Sequence, residues 1–192
     1  MVNRPKLDNS IVLPTDEQVM EAVKGGDLQQ ASILFDRYHA RIFNFLARLT
    51  MDRPVAEDLT QNVFLRLIRY RSSYRPGSKF MPWIYQMARN VFSDHYHAAK
   101  SKVNANVDVE KLSEAMADSN ETWEQEEREK LLQLSLAKLE EEQRELLVLT
   151  RFQHMKYEEV ALIMNTTVAN IKVKVHRAIG KLREHYFELE NT

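Results

Sequence analysis

Apolar residues in this 192-residue chain recur at spacings of three and four, and no segment alternates apolar and polar residues with period two. Spacing of that kind lines one face of an α-helix, whereas a half-buried strand needs every second residue apolar. The fold class expected is therefore all-α. Thr15-Asp16-Glu17-Gln18 has the spacing of a capping box and predicts a short helix through Val19, Met20 and Val23, stopped by Gly25-Gly26. Leu28, Ala31, Phe35, Tyr38, Ile42, Phe45 and Leu49 then fall on one face of a helix about six turns long. Pro54 opens a third helix in the permitted first turn, with Val55, Leu59, Val63 and Leu67 inward and Glu57, Asp58, Gln61, Asn62, Arg66 and Arg69 outward. A fourth follows Pro76-Gly77-Ser78 and runs through Phe80, Ile84, Met87, Val91 and His95.

Residues 157–183 predict a short amphipathic helix, a tight turn and a longer basic helix. Val160, Ala161 and Met164 give the first helix one buried face, and Val168, Ile171, Val175, Leu182 and Tyr186 give the second another. Asn165 stands where the turn needs a residue that tolerates positive φ, and Thr166 or Thr167 can accept the orphan N–H groups opening the next helix. Opposite the apolar stripe the sequence puts Lys172, Lys174, His176, Arg177, Lys181 and Arg183, with no acid anywhere in 168–183. A face of this kind suits a polyanion, and the three parts together are a helix-turn-helix reader of DNA.

The chain's formal net charge of −1 hides segregation: residues 1–107 carry a net +5, 108–129 a net −7 and 130–192 a net +1. The acidic, small-residue stretch 101–121 predicts a flexible linker between two packed units, 16–100 and 122–192, with residues 1–15 a disordered tail. At 44% hydrophobic residues, each unit can have its own core. An acidic linker can lie over basic surfaces or act as a solvated, self-repelling tether. With no cysteine, disulfides, thiolate zinc sites and thiol catalysis are excluded. No apolar run approaches the roughly 18 residues of a membrane span, so a soluble, cytoplasmic chain without membrane insertion is expected.

Between the third and fourth helices, residues 70–83 interleave aromatics with cations in a turn-prone stretch. Such interleaving suits single-stranded DNA, since aromatic faces stack on unpaired bases while Arg and Lys hold phosphates. Phe80 and Trp83 equally suit a core where helices meet. Tyr74, Arg75, Ser78 and Lys79, beside a Pro-Gly turn, are expected to have no core to fill. His95 and His97, at i and i+2, point apart on a helix, and no Gly-rich phosphate loop or ordered catalytic triad can be traced. No enzyme activity, metal or cofactor is therefore expected. The Glu140-Glu141-Glu142 run reads as the start of a helix.

The segment 56–67, with its Asp58-Leu59-Thr60-Gln61-Asn62-Val63-Phe64 core, resembles region 2.2 of the extracytoplasmic-function (group IV) sigma factors of bacterial RNA polymerase, the helix that docks on the clamp of the largest subunit. Residues 80–96 are similar to regions 2.3 and 2.4, which melt and read the minus-ten element, and 157–183 to region 4.2, which reads the minus-thirty-five element. The resemblance implies a minimal two-domain member: a region 2 helical bundle, a linker and a region 4 helix-turn-helix, without the inhibitory region or long middle domain of housekeeping sigma factors. It further implies core polymerase contacts at Glu57, Asp58, Leu59, Gln61, Asn62, Phe64 and Arg66, and minus-ten contacts at Tyr74, Arg75, Ser78, Lys79, Trp83, Arg89, Asn90 and Ser93. Minus-thirty-five contacts fall to Thr167, Asn170, Lys172, Lys174, His176, Arg177 and Lys181. The implied partners are core polymerase, promoter DNA and an anti-sigma factor, which could hold the chain at the inner membrane face. Two departures stand out: Ala169-Asn170, where the family places a small residue followed by Thr, and Asn62, where an acid is common. A helix-turn-helix repressor acting without polymerase, or an all-α interaction protein, are the alternatives; the repressor has no use for the Asp58-Leu59-x-Gln61 helix, and the interaction protein would not support transcription.

Overall fold

The structure, a computed structural model, describes residues 13–102 and 123–191. The expected linker at 101–121 therefore lies almost wholly outside the described residues, as does most of the expected tail at 1–15. Among the described residues all regular structure is helical. The capping box forms as expected: Gln18 N–H donates to the Thr15 hydroxyl and Thr15 N–H to the Gln18 side chain, opening α1 (Asp16–Lys24). A 3₁₀ turn at Leu28–Gln30 leads into α2 (Ala31–Thr50). The inward stripe of α2 is Leu34, Tyr38, Ile42, Phe45, Leu46 and Leu49; Leu28 and Phe35, assigned to that stripe from the sequence, are exposed. The 3₁₀ turn takes Leu28 out of the helical register, and Phe35 lies one step round from Leu34, against the Phe64 ring of α3 (Arg53–Arg69).

Asp52 caps α3 by accepting the Val55 N–H at 3.0 Å, with Pro54 in the first turn where its missing N–H costs nothing. Gly77, at φ +77°, turns the chain sharply into α4 (Phe80–Lys102), whose Phe80, Ile84, Tyr85, Ala88 and Val91 close the first bundle. The second group is α5 (Trp123–Ala137), α6 (Glu141–Leu147), a wider π-turn over Val148–Phe152, α7 (Tyr157–Ile163) and α8 (Val168–Glu190). The three-Glu run does start a helix. The buried hydroxyls of Thr60, Ser135 and Thr150 each donate to the carbonyl four residues back, which satisfies them inside their own helices.

The two groups are not independent in this structure. α4 packs on α7, and α2 packs on α6 and the π-turn, so buried residues from Val19 to Ala178 form one continuous core rather than two separate ones. The expectation of two cores missed this because each helix stripe fixes which side is apolar and not what covers it. No described helix is long and apolar enough to cross a membrane, and no group of three or more potential metal ligands occurs among the described residues.

Candidate nucleic-acid and partner interfaces

On the outward face of α3, Glu57 and Asp58 are exposed, as is Gln61 one turn further along the helix. Leu65, which the sequence reading passed over, extends that face and is 70% exposed. Its position four residues after Gln61 was the available signal. Asn62 accepts from Arg66 Nε at 3.2 Å, and Arg66 also pairs with Asp94 of α4 at 2.7 Å. The Phe64 ring, half-buried, meets the exposed Phe35 edge-on at 4.9 Å between centroids. Leu59 is a correction: it points into the core, so its contribution is to hold α3 in place and not to touch a partner.

Tyr74 is a second correction. It is fully buried, its ring set edge-on to Trp83 at 5.2 Å, its hydroxyl donating to the Ser78 carbonyl at 2.5 Å and its carbonyl accepting Lys24 Nζ at 2.6 Å. Burial, followed by the nearby Glu17 and Glu21 carboxylates, pushes its hydroxyl up to about 12. The turn at Gly77 folds the loop back over the ring, so a loop residue does find a core to fill. Phe80 is likewise buried, Trp83 half-buried, and Arg75 and Lys79 exposed. Asn90 is exposed on α4 and Ser93 half-buried beside it.

Arg89, between those surfaces and the second group, is engaged. Its guanidinium makes a bidentate pair with the buried Glu145 of α6 and donates to the Ile163 carbonyl at 2.9 Å. One turn earlier Gln86 donates to the Leu162 carbonyl at 2.7 Å, so α4 takes up two of the carbonyls that end α7. Desolvation raises the pKa of Glu145, with the Arg89 hydrogen bond and charge opposing that rise. Further along the seam Tyr85 donates to Gln153 at 2.8 Å, and Arg48 lies over the Phe152 ring at 4.0 Å. Arg144 donates to the Leu49 carbonyl at 3.1 Å and to those of Leu136, Ala137 and Leu139. Sequence reading missed this seam; the absence of any intrahelical partner for Glu145 leaves no periodic signal.

On α8, Thr167 caps the helix by accepting the Asn170 N–H at 3.2 Å, while Asn170 donates to the Thr166 hydroxyl at 2.8 Å. Asn165 takes the expected left-handed turn conformation at φ +50°. The cations divide into two sets. Lys174 pairs with Glu142 at 2.5 Å and Lys181 lies 3.9 Å from Glu140, both turned towards the start of α6. Lys172, His176 and Arg177 are exposed on the side away from the buried Ile171, Val175 and Ala178. The basic face expected from the sequence is thus edged by the carboxylates that start α6, which take up Lys174 and Lys181.

Residues 34–102 match the family model Sigma-70 region 2, and residues 129–182 match Sigma-70, region 4. The RNA polymerase sigma factor CarQ of Myxococcus xanthus is 31% identical over 174 residues, covering 89% of this chain and 97% of that protein. The chain belongs to the extracytoplasmic-function sigma factors. SigM of Bacillus subtilis, a member named as such, is 32% identical over 154 residues, covering 80% of this sigma factor and 93% of that one. Among solved structures, CnrH in complex with the cytosolic domain of CnrY aligns with TM-score 0.66 at 19% identity over 88% of this chain and 95% of that one. RpoE in complex with the anti-sigma factor NepR, from Bartonella quintana, aligns with TM-score 0.62 at 22% identity over 83% and 96%. Both likenesses establish the fold. The first bundle is region 2 and the second group region 4, and the sigma factor acts with RNA polymerase core in promoter-specific initiation.

Proposed function

We propose that this sigma factor docks on the polymerase clamp through the outward face of α3, captures minus-ten bases with the 75–79 loop and α4, and lays α8 in the major groove of the minus-thirty-five element. Asp58 and Gln61 supply the directional contacts on α3, with Glu57, Asn62, Phe64 and Arg66 around them. Arg75, Ser78, Lys79 and Asn90, with Trp83, Ser93 and a released Arg89, make the minus-ten surface. Tyr74 supports that surface from beneath. Separating the first two or three base pairs costs several kcal/mol at about 1.4 kcal/mol per stacking step, which one or two captured bases at about 1 to 3 kcal/mol each can offset. Upstream, Lys172 and His176 face the base edges and Arg177 the phosphates, while Lys174 and Lys181 exchange their surface carboxylates for phosphate oxygens at little cost.

The observation that supports this reading is the tie between Arg89 of region 2 and Glu145 of region 4: with Arg89 assigned to the minus-ten surface, the free chain is the closed form. The two promoter elements lie about two duplex turns, or roughly 70 Å, apart, a span that polymerase has to impose by drawing the regions apart. An anti-sigma factor that favours the closed form is the partner we assign, in keeping with the complex in which RpoE was solved. Reconstitution with core polymerase on a promoter library tests the proposal. Specific initiation is expected, with Asp58→Ala and Gln61→Ala weakening core binding; were they to impair only DNA binding by the free protein, the clamp assignment would be wrong.

A further inference from the structure

Among the cations in the first half of α8 stands an exposed apolar side chain that they do not explain. Val173 is 48% exposed, a β-branched apolar side chain between the exposed Lys172 on one side and His176 and Arg177 a turn on. At 100° per residue it lies about 160° round the helix from both Ile171 and Val175, which are buried, so it is near the centre of the solvent face. It contributes nothing to the core. A basic stripe that served only to hold phosphates would have no use for an apolar residue at its midline.

We propose that Val173 reads a thymine in the minus-thirty-five element by packing its branched methyls against the C5-methyl group. On the floor of the major groove every polar edge presents a donor or an acceptor, and the thymine methyl is the one apolar group available to a side chain that can neither donate nor accept. Lys172 beside it suits the guanine O6 and N7 acceptors, so the pair selects a guanine and a thymine at neighbouring positions. The inference rests on the major-groove docking of α8 proposed above and adds to it a residue and the group that it recognises.

Replacing thymine by deoxyuridine removes that methyl and nothing else. Promoter duplexes selected by the reconstituted holoenzyme, substituted one thymine at a time across the upstream element, are competed for holoenzyme binding. One position should lose roughly fourfold in affinity, the equivalent of a buried methyl group, and Val173→Ser should bind the thymine and deoxyuridine duplexes equally. Val173→Thr, which keeps one methyl, should retain part of the preference. Val173→Ser retaining the full methyl sensitivity, no sensitive position in the wild type, or a selected upstream element without thymine would each overturn the inference while leaving promoter-specific initiation intact. Failure of the holoenzyme to select any promoter would instead overturn the functional reading and this inference with it.

Discussion

Tyr74 shows how a residue beside a Pro-Gly turn can belong to the core. Its ring fills the space beneath the 75–79 loop and its hydroxyl closes the loop on the Ser78 carbonyl. Tyr74→Phe should therefore cost about 1 kcal/mol, the net worth of a hydrogen bond, and Tyr74→Ala about 3 to 5 kcal/mol by chemical denaturation. Open-complex formation per folded Tyr74→Phe molecule should stay near wild type; a large loss there would mean that the hydroxyl meets DNA. Glu145 carries a different signature. Its carboxyl pKa is raised from the ordinary 4.5, by desolvation first and against the pull of Arg89. A raised folded-state value contributes stability that is fully present below 4.5 and lost as pH rises through the folded value. Subtracting the Glu145→Gln stability profile from that of the wild type should thus give a difference that falls with rising pH above about 4.5; a flat difference would refute the shift.

Among the elements, α8 depends on its first turn. Thr167 satisfies the Asn170 N–H, and Asn165 adopts φ +50°, a region that asparagine tolerates better than most residues. Thr167→Ala is expected to lower stability by about 1 kcal/mol. Asn165→Gly should be neutral to stabilising and Asn165→Val clearly destabilising, since a β-branched residue resists the left-handed region. Thermal unfolding of the three variants measures this order, and a stable Asn165→Val would show that the turn relaxes in solution. α6 shows the other kind of local departure, opening into a π-turn at Val148–Phe152 that carries Phe152 under Arg48 and Gln153 to the Tyr85 hydroxyl. That turn makes α6 a bridge between the regions and not merely a support for α8.

For the whole molecule, the question is what holds two DNA-reading regions shut against each other. Arg89 and Gln86 take up the carbonyls at the end of α7, Glu145 supplies the counter-charge, and Arg144 joins the ends of α2 and α5 through four carbonyls. Removing one member of a partly buried ion pair is more disruptive than the pair is stabilising, because the remaining charge is left without its partner. The chain has no cysteine, so Asn44→Cys and Arg183→Cys on the exposed faces of α2 and α8 give a clean pair of dye sites. Energy transfer between them should be high in the free chain, fall when core polymerase binds, and be lower in free Glu145→Ala than in the wild type. Equal transfer in the two free chains would show that the clasp does not hold the closed form.

The helices, their caps at Thr15 and Thr167, the turn at Asn165 and the outward placement of Asp58, Gln61, Lys172 and His176 were legible in the sequence because each rests on periodicity or on a few adjacent residues. Tyr74 was misjudged, and the pairing of Lys174 and Lys181 with Glu142 and Glu140 was not foreseen, because burial and pairing depend on what stands opposite. Family membership was readable from two motifs in order. The closed seam was not: Arg89 and Glu145 are 56 residues apart, and contact across such a distance in sequence follows only from how assembled helices pack.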